Sequence, residues 1–149
     1  MTDDLMVHAA ELGSAYRSRV ADLPVFPAGL DTGALVDALG VLPERPTSPR
    51  EVVDLLAGAV EPALVGTTGP RYFGFVIGGA LEAASAADVL AVAWDQNAFN
   101  QVTSPAAAVV EDIAGGWLKD LLGLPAPVSV GFVTGGQGAN TVGLPAARH

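Results

Sequence analysis

The sequence has 149 residues, is 50% hydrophobic and carries a formal net charge of −9, with no cysteine. This length suffices for one domain with a core, and the hydrophobic content excludes disorder over most of the chain. The negative charge repels phosphate backbones and anionic lipids, which argues against nucleic-acid and membrane partners. The absence of cysteine excludes disulfides and thiolate chemistry. The two histidines, His8 and His149, lie too far apart in sequence for a local metal cluster.

We expect a cytoplasmic protein, because the N-terminal residues show no basic region followed by an apolar segment. Residues 121–147 carry no charge, which could suggest a membrane span. Their many glycines and prolines would leave unpaired backbone groups in lipid, so the composition predicts buried protein there instead.

A first helix is predicted from a cap at Thr2 or Asp3, with an apolar stripe at helical spacing: Leu5, Ala9, Leu12, Tyr16 and Val20. We expect this stripe to dock on another subunit or on a further part of the protein. His8 falls outside the stripe and is expected to be a solvated polar residue. A short helical turn is predicted at 34–39, between two proline-rich connectors.

Ser48-Pro49-Arg50-Glu51 is a capping box with proline at the first helical position, so a helix is predicted to begin there. Pro62 should kink or end that helix, because proline removes a backbone donor and clashes with the preceding turn. Residues 70–79 then form an aromatic extended segment whose side chains we expect to pack. Arg71 is either a structural cation or a ligand for an acidic group.

A helix rich in small residues is predicted for 81–99. Ser104-Pro105 begins another helix with an apolar face, which Gly123 and Pro125 close. We expect Glu111 and Asp112 near its outer side and Lys119 and Asp120 in its last turns, with no pair of carboxylates isolated in an apolar setting. We therefore assign no catalytic acid or base.

Residues 130–140 predict a strand, a tight glycine-rich turn and a helix start. Glycines let backbone N–H groups approach an anion, and the helix N-terminus adds positive charge, so a phosphate suits this turn. The alternative is a turn that needs glycine for its backbone angles and binds nothing. The spacing of Gly136, Gly138 and Gly143 fits neither a Walker loop nor a dinucleotide fingerprint. Because one strand cannot make a sheet, we expect the first part of a longer α/β protein.

The order and spacing of several blocks resemble the group II pyridoxal-phosphate-dependent amino-acid decarboxylases, which include the aromatic-amino-acid and glutamate decarboxylases. The resemblance extends from about residue 50 onward and is carried by Gly69–Phe75, Asp88, Leu90, Asn97, Ser104-Pro105-Ala106, Glu111, Trp117-Leu118, Gly123-Leu124-Pro125, Gly131, Thr134-Gly135-Gly136, Ala139-Asn140 and Ala146-Ala147-Arg148.

The resemblance implies an α/β fold: the N-terminal portion of the fold-type-I architecture, mostly helical here, with the first strand and phosphate loop of the large domain. It divides the chain into an N-terminal helix and connector (1–49), a helical region (50–127) and the start of the cofactor-binding domain (128–149). It implies pyridoxal 5'-phosphate as cofactor, an amino-acid substrate and a homodimer. The cofactor phosphate is assigned to Gly135, Gly136 and Gln137; Gln137-Gly138 stands where relatives often have Ser-Glu, so an amide or backbone donors replace a hydroxyl.

The resemblance places the cofactor's Schiff-base lysine, its stacking histidine and its pyridine-pairing aspartate beyond residue 149. Lys119 matches no catalytic position, so these 149 residues alone are expected to be inactive. Two other interpretations stay open. One is a different fold-type-I reaction, by an aldehyde-lyase or an aminotransferase. The other is a relic or non-catalytic partner that associates through the first helix and the helix at 104–122.

Overall fold

A computed structural model of the chain describes residues 4–148 and shows helices joined by irregular segments. Two compact units divide between Val89 and Leu90. The boundaries predicted at 49/50 and 127/128 stay a prediction. No helix of the described part is long and apolar enough to cross a membrane. The helices are α1 (Leu5–Arg19), α2 (Thr32–Leu39), α3 (Pro49–Val60), α4 (Glu82–Trp94), α5 (Pro105–Leu122) and α6 (Gly135–Arg148), with a 3-10 turn at Glu61–Ala63.

Helix α1 begins at Leu5, one residue later than a cap at Asp3 would place its start. Asp4 is the N-cap, and its side chain accepts a hydrogen bond from the Met6 backbone N–H at 2.9 Å. Thr2 and Asp3 lie outside the described residues. Leu12, Tyr16 and Val20 of the predicted stripe are half-buried, whereas Ala9 is exposed. α1 is therefore an amphipathic helix whose apolar face is only partly covered.

His8 contacts α3, so the expectation that it is solvated is wrong. Its Nε2 lies 2.5 Å from Asp54 Oδ1, and its Nδ1 lies 3.2 Å from Arg50 Nη2. Because arginine only donates, Nδ1 must accept and Nε2 must carry the proton that goes to Asp54. Arg19 and Glu61 form an ion pair in this unit. Helical spacing along α1 alone could not show that α3 brings Asp54 and Arg50 to this position.

The capping box at α3 is confirmed. Ser48 Oγ accepts from the Glu51 N–H at 3.3 Å, and Glu51 Oε2 accepts from the Ser48 N–H at 3.0 Å. The pKa of Glu51 is held below its usual value. The larger cause is the hydrogen bond with the Ser48 side chain, and the smaller is the hydrogen bond from the Ser48 backbone N–H. α3 ends at Val60 and passes into the turn that contains Pro62, as predicted.

Two of the three aromatic residues after Gly69 do not pack, which corrects the sequence expectation for them, whereas Tyr72 is half-buried. The side chains of Phe73 and Phe75 are each 91% exposed. Phe75 and Val76 have positive φ angles of 54° and 57°, in a turn closed by the Ile77 N–H and the Gly74 carbonyl at 3.2 Å. This turn directs their side chains outward, away from the rest of the unit.

Two arginines connect segments of the first unit that are distant in sequence. Arg71 donates to the Leu23 carbonyl at 2.5 Å, which favours the structural interpretation of this cation over an acid-binding one. Arg17 donates to Ser85 Oγ at 3.0 Å and to the Ala80 carbonyl at 2.8 Å, at the start of α4. α4 ends at Trp94, five residues before its predicted end at 99, because Asp95 has a positive φ of 47° that no helix continues.

Helix α5 in the second unit has the predicted bounds and caps. Ser104 is fully buried; its hydroxyl accepts from the Ala107 N–H at 3.3 Å and donates to Gln96 Oε1 at 3.2 Å. Gly123 closes the helix with a left-handed φ of 64°, which suits glycine, and its N–H bonds to the Asp120 and Lys119 carbonyls.

The expectation of a packed core is wrong for the described residues, because none of their hydrophobic side chains is buried. The chain exposes 12032 Å² of surface. A folded domain of 15.0 kDa exposes about 7,000 Å², and two separate domains of about 9 and 6 kDa expose about 8,500 Å² together. The chain thus exposes at least about 3,500 Å² more than folded domains of its size, however its two units are counted. Its apolar helix faces lack a cover within these residues.

Candidate cofactor-phosphate site

The segment before α6 has no regular secondary structure, so the strand predicted to begin the 130–140 stretch is not formed in the described part of the chain. A strand requires hydrogen bonds to a neighbouring strand. Residues 4–148 contain no strand that could pair with it. Three residues of this segment are β-branched or aromatic and favour a strand: Val130, Phe132 and Val133. They form a strand only where a neighbouring strand is present.

Helix α6 begins at Gly135, where the backbone reverses with a φ of 78°. Only glycine adopts this angle without steric cost. The turn and the helix start fall where the sequence predicts them. Gly138, one turn further on, packs against the preceding segment: a Cβ there would lie 3.6 Å from Val133 Cβ, which is ordinary van der Waals contact.

The first turn of α6 brings together the three predicted phosphate ligands, Gly135, Gly136 and Gln137. Helix geometry leaves their backbone N–H groups without an acceptor inside the helix. All three residues are exposed, and a Cβ on either glycine would meet no atom within 4 Å. The space around these donors is therefore open to a ligand.

Uncharged hydrogen-bond donors are the groups that could bind an anion at this turn. Residues 121–147 carry no charge, and Arg148 lies at the far end of α6, about 20 Å along the helix. Lys119 is half-buried, with its Nζ donating to the Ala126 carbonyl at 3.0 Å. The helix dipole supplies about half a positive charge at the N-terminus. The Gln137 side-chain amide, two residues into the helix, adds a further neutral donor.

This donor set fits the phosphate group of pyridoxal 5'-phosphate. Phosphate oxygens are acceptors, and converging backbone N–H groups at a helix N-terminus are a common way to bind them. The Thr141 hydroxyl donates to the Gln137 carbonyl at 2.9 Å, within α6. Pro145 lies within α6, well past this first turn, so the loss of its N–H does not affect the donors.

The described residues offer no metal-ligand cluster beside this turn. No group of three or more metal-ligating side chains occurs within residues 4–148. The three-residue contact of His8, Arg50 and Asp54, which sequence reasoning missed, lies in the other unit and connects two helices. The only sequence signal for it is that Arg50 and Asp54 are four apart on one helix face.

Comparison with known proteins finds decarboxylases. The chain is similar to Tryptophan decarboxylase 1 of Oryza sativa subsp. japonica, with 32% identity over 118 residues, which are 78% of this chain and 23% of the relative. It is also similar to Tyrosine decarboxylase 2 of Arabidopsis thaliana, with 32% identity over 105 residues, 70% of this chain and 19% of the relative. Tyrosine decarboxylase 2 of Narcissus pseudonarcissus is 26% identical over 128 residues, 85% of this chain and 25% of the relative.

The chain therefore spans a quarter or less of the length of these curated relatives. No family model matches the chain, and no solved structure matches it. The relatives are plant decarboxylases named for aromatic amino acids. This similarity agrees with the resemblance to amino-acid decarboxylases that the sequence blocks carry.

Proposed function

We propose that this chain is the N-terminal part of a pyridoxal-phosphate-dependent amino-acid decarboxylase and supplies its cofactor-phosphate loop. The observation that carries the proposal is the uncovered first turn of α6. There, Gly135, Gly136 and Gln137 present backbone donors to open space. Similarity to three decarboxylases over 70% or more of the chain supports the same reaction class.

In this proposal the residues of the turn bind and orient, and they do not take part in bond breaking. The N–H groups of Gly135, Gly136 and Gln137 donate to phosphate oxygens, and the positive end of α6 complements the phosphate charge. The Gln137 side chain donates where relatives use a hydroxyl. When bound, the cofactor supplies an electron-withdrawing ring that accepts the electron pair left by the departing CO2.

We propose that the lysine that holds the cofactor belongs to a part of the protein outside these 149 residues. Lys119 is the chain's single lysine, and its Nζ is engaged by the Ala126 carbonyl. It stands in the last turn of α5, before the phosphate loop in sequence. The 149 residues alone are accordingly proposed to bind cofactor phosphate without decarboxylating an amino acid.

The exposed surface supports a role within a larger assembly, which we propose is a homodimer of the complete enzyme acting on an amino acid. An excess of about 3,500 Å² on one chain is larger than the about 1,000–2,500 Å² that each partner buries in an obligate interface. The cytoplasmic location expected from the sequence stays a prediction. An aldehyde-lyase or an aminotransferase of fold type I would use the same phosphate loop. The loop therefore does not separate decarboxylation from these other reactions.

A non-catalytic association partner is the second candidate, and the exposed face of α5 favours it. Trp117 is 67% exposed and Leu121 is 81% exposed on that helix. Exposed aromatic and aliphatic side chains on one helix face are typical of a surface that binds another protein. This candidate predicts self-association or binding to a full-length relative without any affinity for the cofactor.

Equilibrium dialysis against pyridoxal 5'-phosphate and against pyridoxal tests the proposal, because the two ligands differ only in the phosphate. We expect the chain to retain the phosphorylated ligand at least tenfold more strongly, and to release no CO2 from tryptophan or tyrosine. Circular dichroism of the same sample verifies that the helices are formed. Equal retention of the two ligands by a helical chain would contradict the phosphate role and favour the association partner.

A further inference from the structure

We draw no further inference here: the strongest candidate, the apolar groove of about 280 Å³ between α1 and α3, lined by Leu12, Tyr16, Val53, Leu56 and Val60, carries nothing because nothing in the structure shows what covers it.

Discussion

Helices α3 and α6 both begin with backbone N–H groups that have no acceptor inside the helix. At α3 the side chains of Ser48 and Glu51 satisfy these donors in a reciprocal capping box. The first turn of α6 holds Gly135, Gly136 and Gln137, and no side chain within residues 4–148 accepts from their N–H groups. A capped start stabilises its own helix, whereas an uncapped, glycine-lined start leaves its donors to a ligand. The predictions below test this difference.

Gly136→Asp should have the largest effect, because it places a carboxylate beside the donors of α6. Repulsion of the phosphate should lower the affinity for pyridoxal 5'-phosphate by about a hundredfold, equivalent to about 2.7 kcal/mol. Equilibrium dialysis measures the loss. Gly116→Asp adds the same charge to α5, where a Cβ also meets no atom within 4 Å, and should leave the affinity unchanged. An equal loss in both variants would mean that net charge, and not the turn, controls binding.

Ser48→Ala should affect the other helix start and not the ligand. Loss of the N-cap should destabilise α3 by about 1 kcal/mol. Hydrogen exchange at the α3 amides should therefore become about fivefold faster, while cofactor affinity stays the same. Ser18→Ala is the matched control, because Ser18 Oγ donates only to the Ala15 carbonyl within α1 and caps no helix. A change in cofactor affinity in the Ser48 variant would contradict the separation of the two roles.

Gln137→Ser exchanges the side-chain amide for the hydroxyl that relatives often carry. Both groups donate to phosphate, so the affinity for pyridoxal 5'-phosphate should change by less than about threefold. Gln137→Ala removes the side-chain donor but keeps the backbone N–H, and should weaken binding by about threefold to tenfold. Dialysis of the two variants compares the side chain with the backbone. If the alanine variant bound as tightly as the parent chain, backbone donors alone would hold the phosphate.

The pH dependence of the α3 cap should be the smallest effect. Hydrogen bonds from Ser48 lower the pKa of Glu51 in the folded helix. The Glu51 carboxylate stabilises α3 at pH values above its unfolded pKa. This stabilisation is lost as the pH falls through the lower pKa of the folded helix. Helicity measured by circular dichroism between about pH 7 and pH 3 should fall less steeply in Glu51→Gln than in the parent chain. Identical curves would show that this hydrogen bond contributes nothing.

Local signals predicted the start of α3 and both ends of α5. Ser48, Ser104 and Gly123 cap the helices as their sequence neighbourhoods indicate, because a cap depends on residues within one turn. The turn at Gly135 is predictable for the same reason. Its phosphate role is not, because a tight turn that binds nothing needs the same glycine; that role rests on the resemblance to decarboxylases.

Features that depend on distant residues were not predictable. The contact of His8 with Asp54 depends on how α1 and α3 pack. The carbonyl that accepts from Arg71 belongs to Leu23, 48 residues earlier in the chain. The aromatic side chains of Phe73 and Phe75 were expected to pack because aromatic residues usually do. Both are exposed because no residue of the described part of the chain covers them. The strand expected before α6 has no neighbouring strand within residues 4–148 to pair with.

The most direct test of the central claim is an amide NMR titration of the isotope-labelled chain with pyridoxal 5'-phosphate, with pyridoxal as the reference ligand. The account predicts that the amide signals of Gly135, Gly136 and Gln137 shift together with the phosphorylated ligand and stay in place with pyridoxal. The capped amides at the start of α3 should not move with either. Shifts confined to other residues, or no shift at the start of α6 at saturating ligand, would contradict the assignment of this turn as the phosphate site.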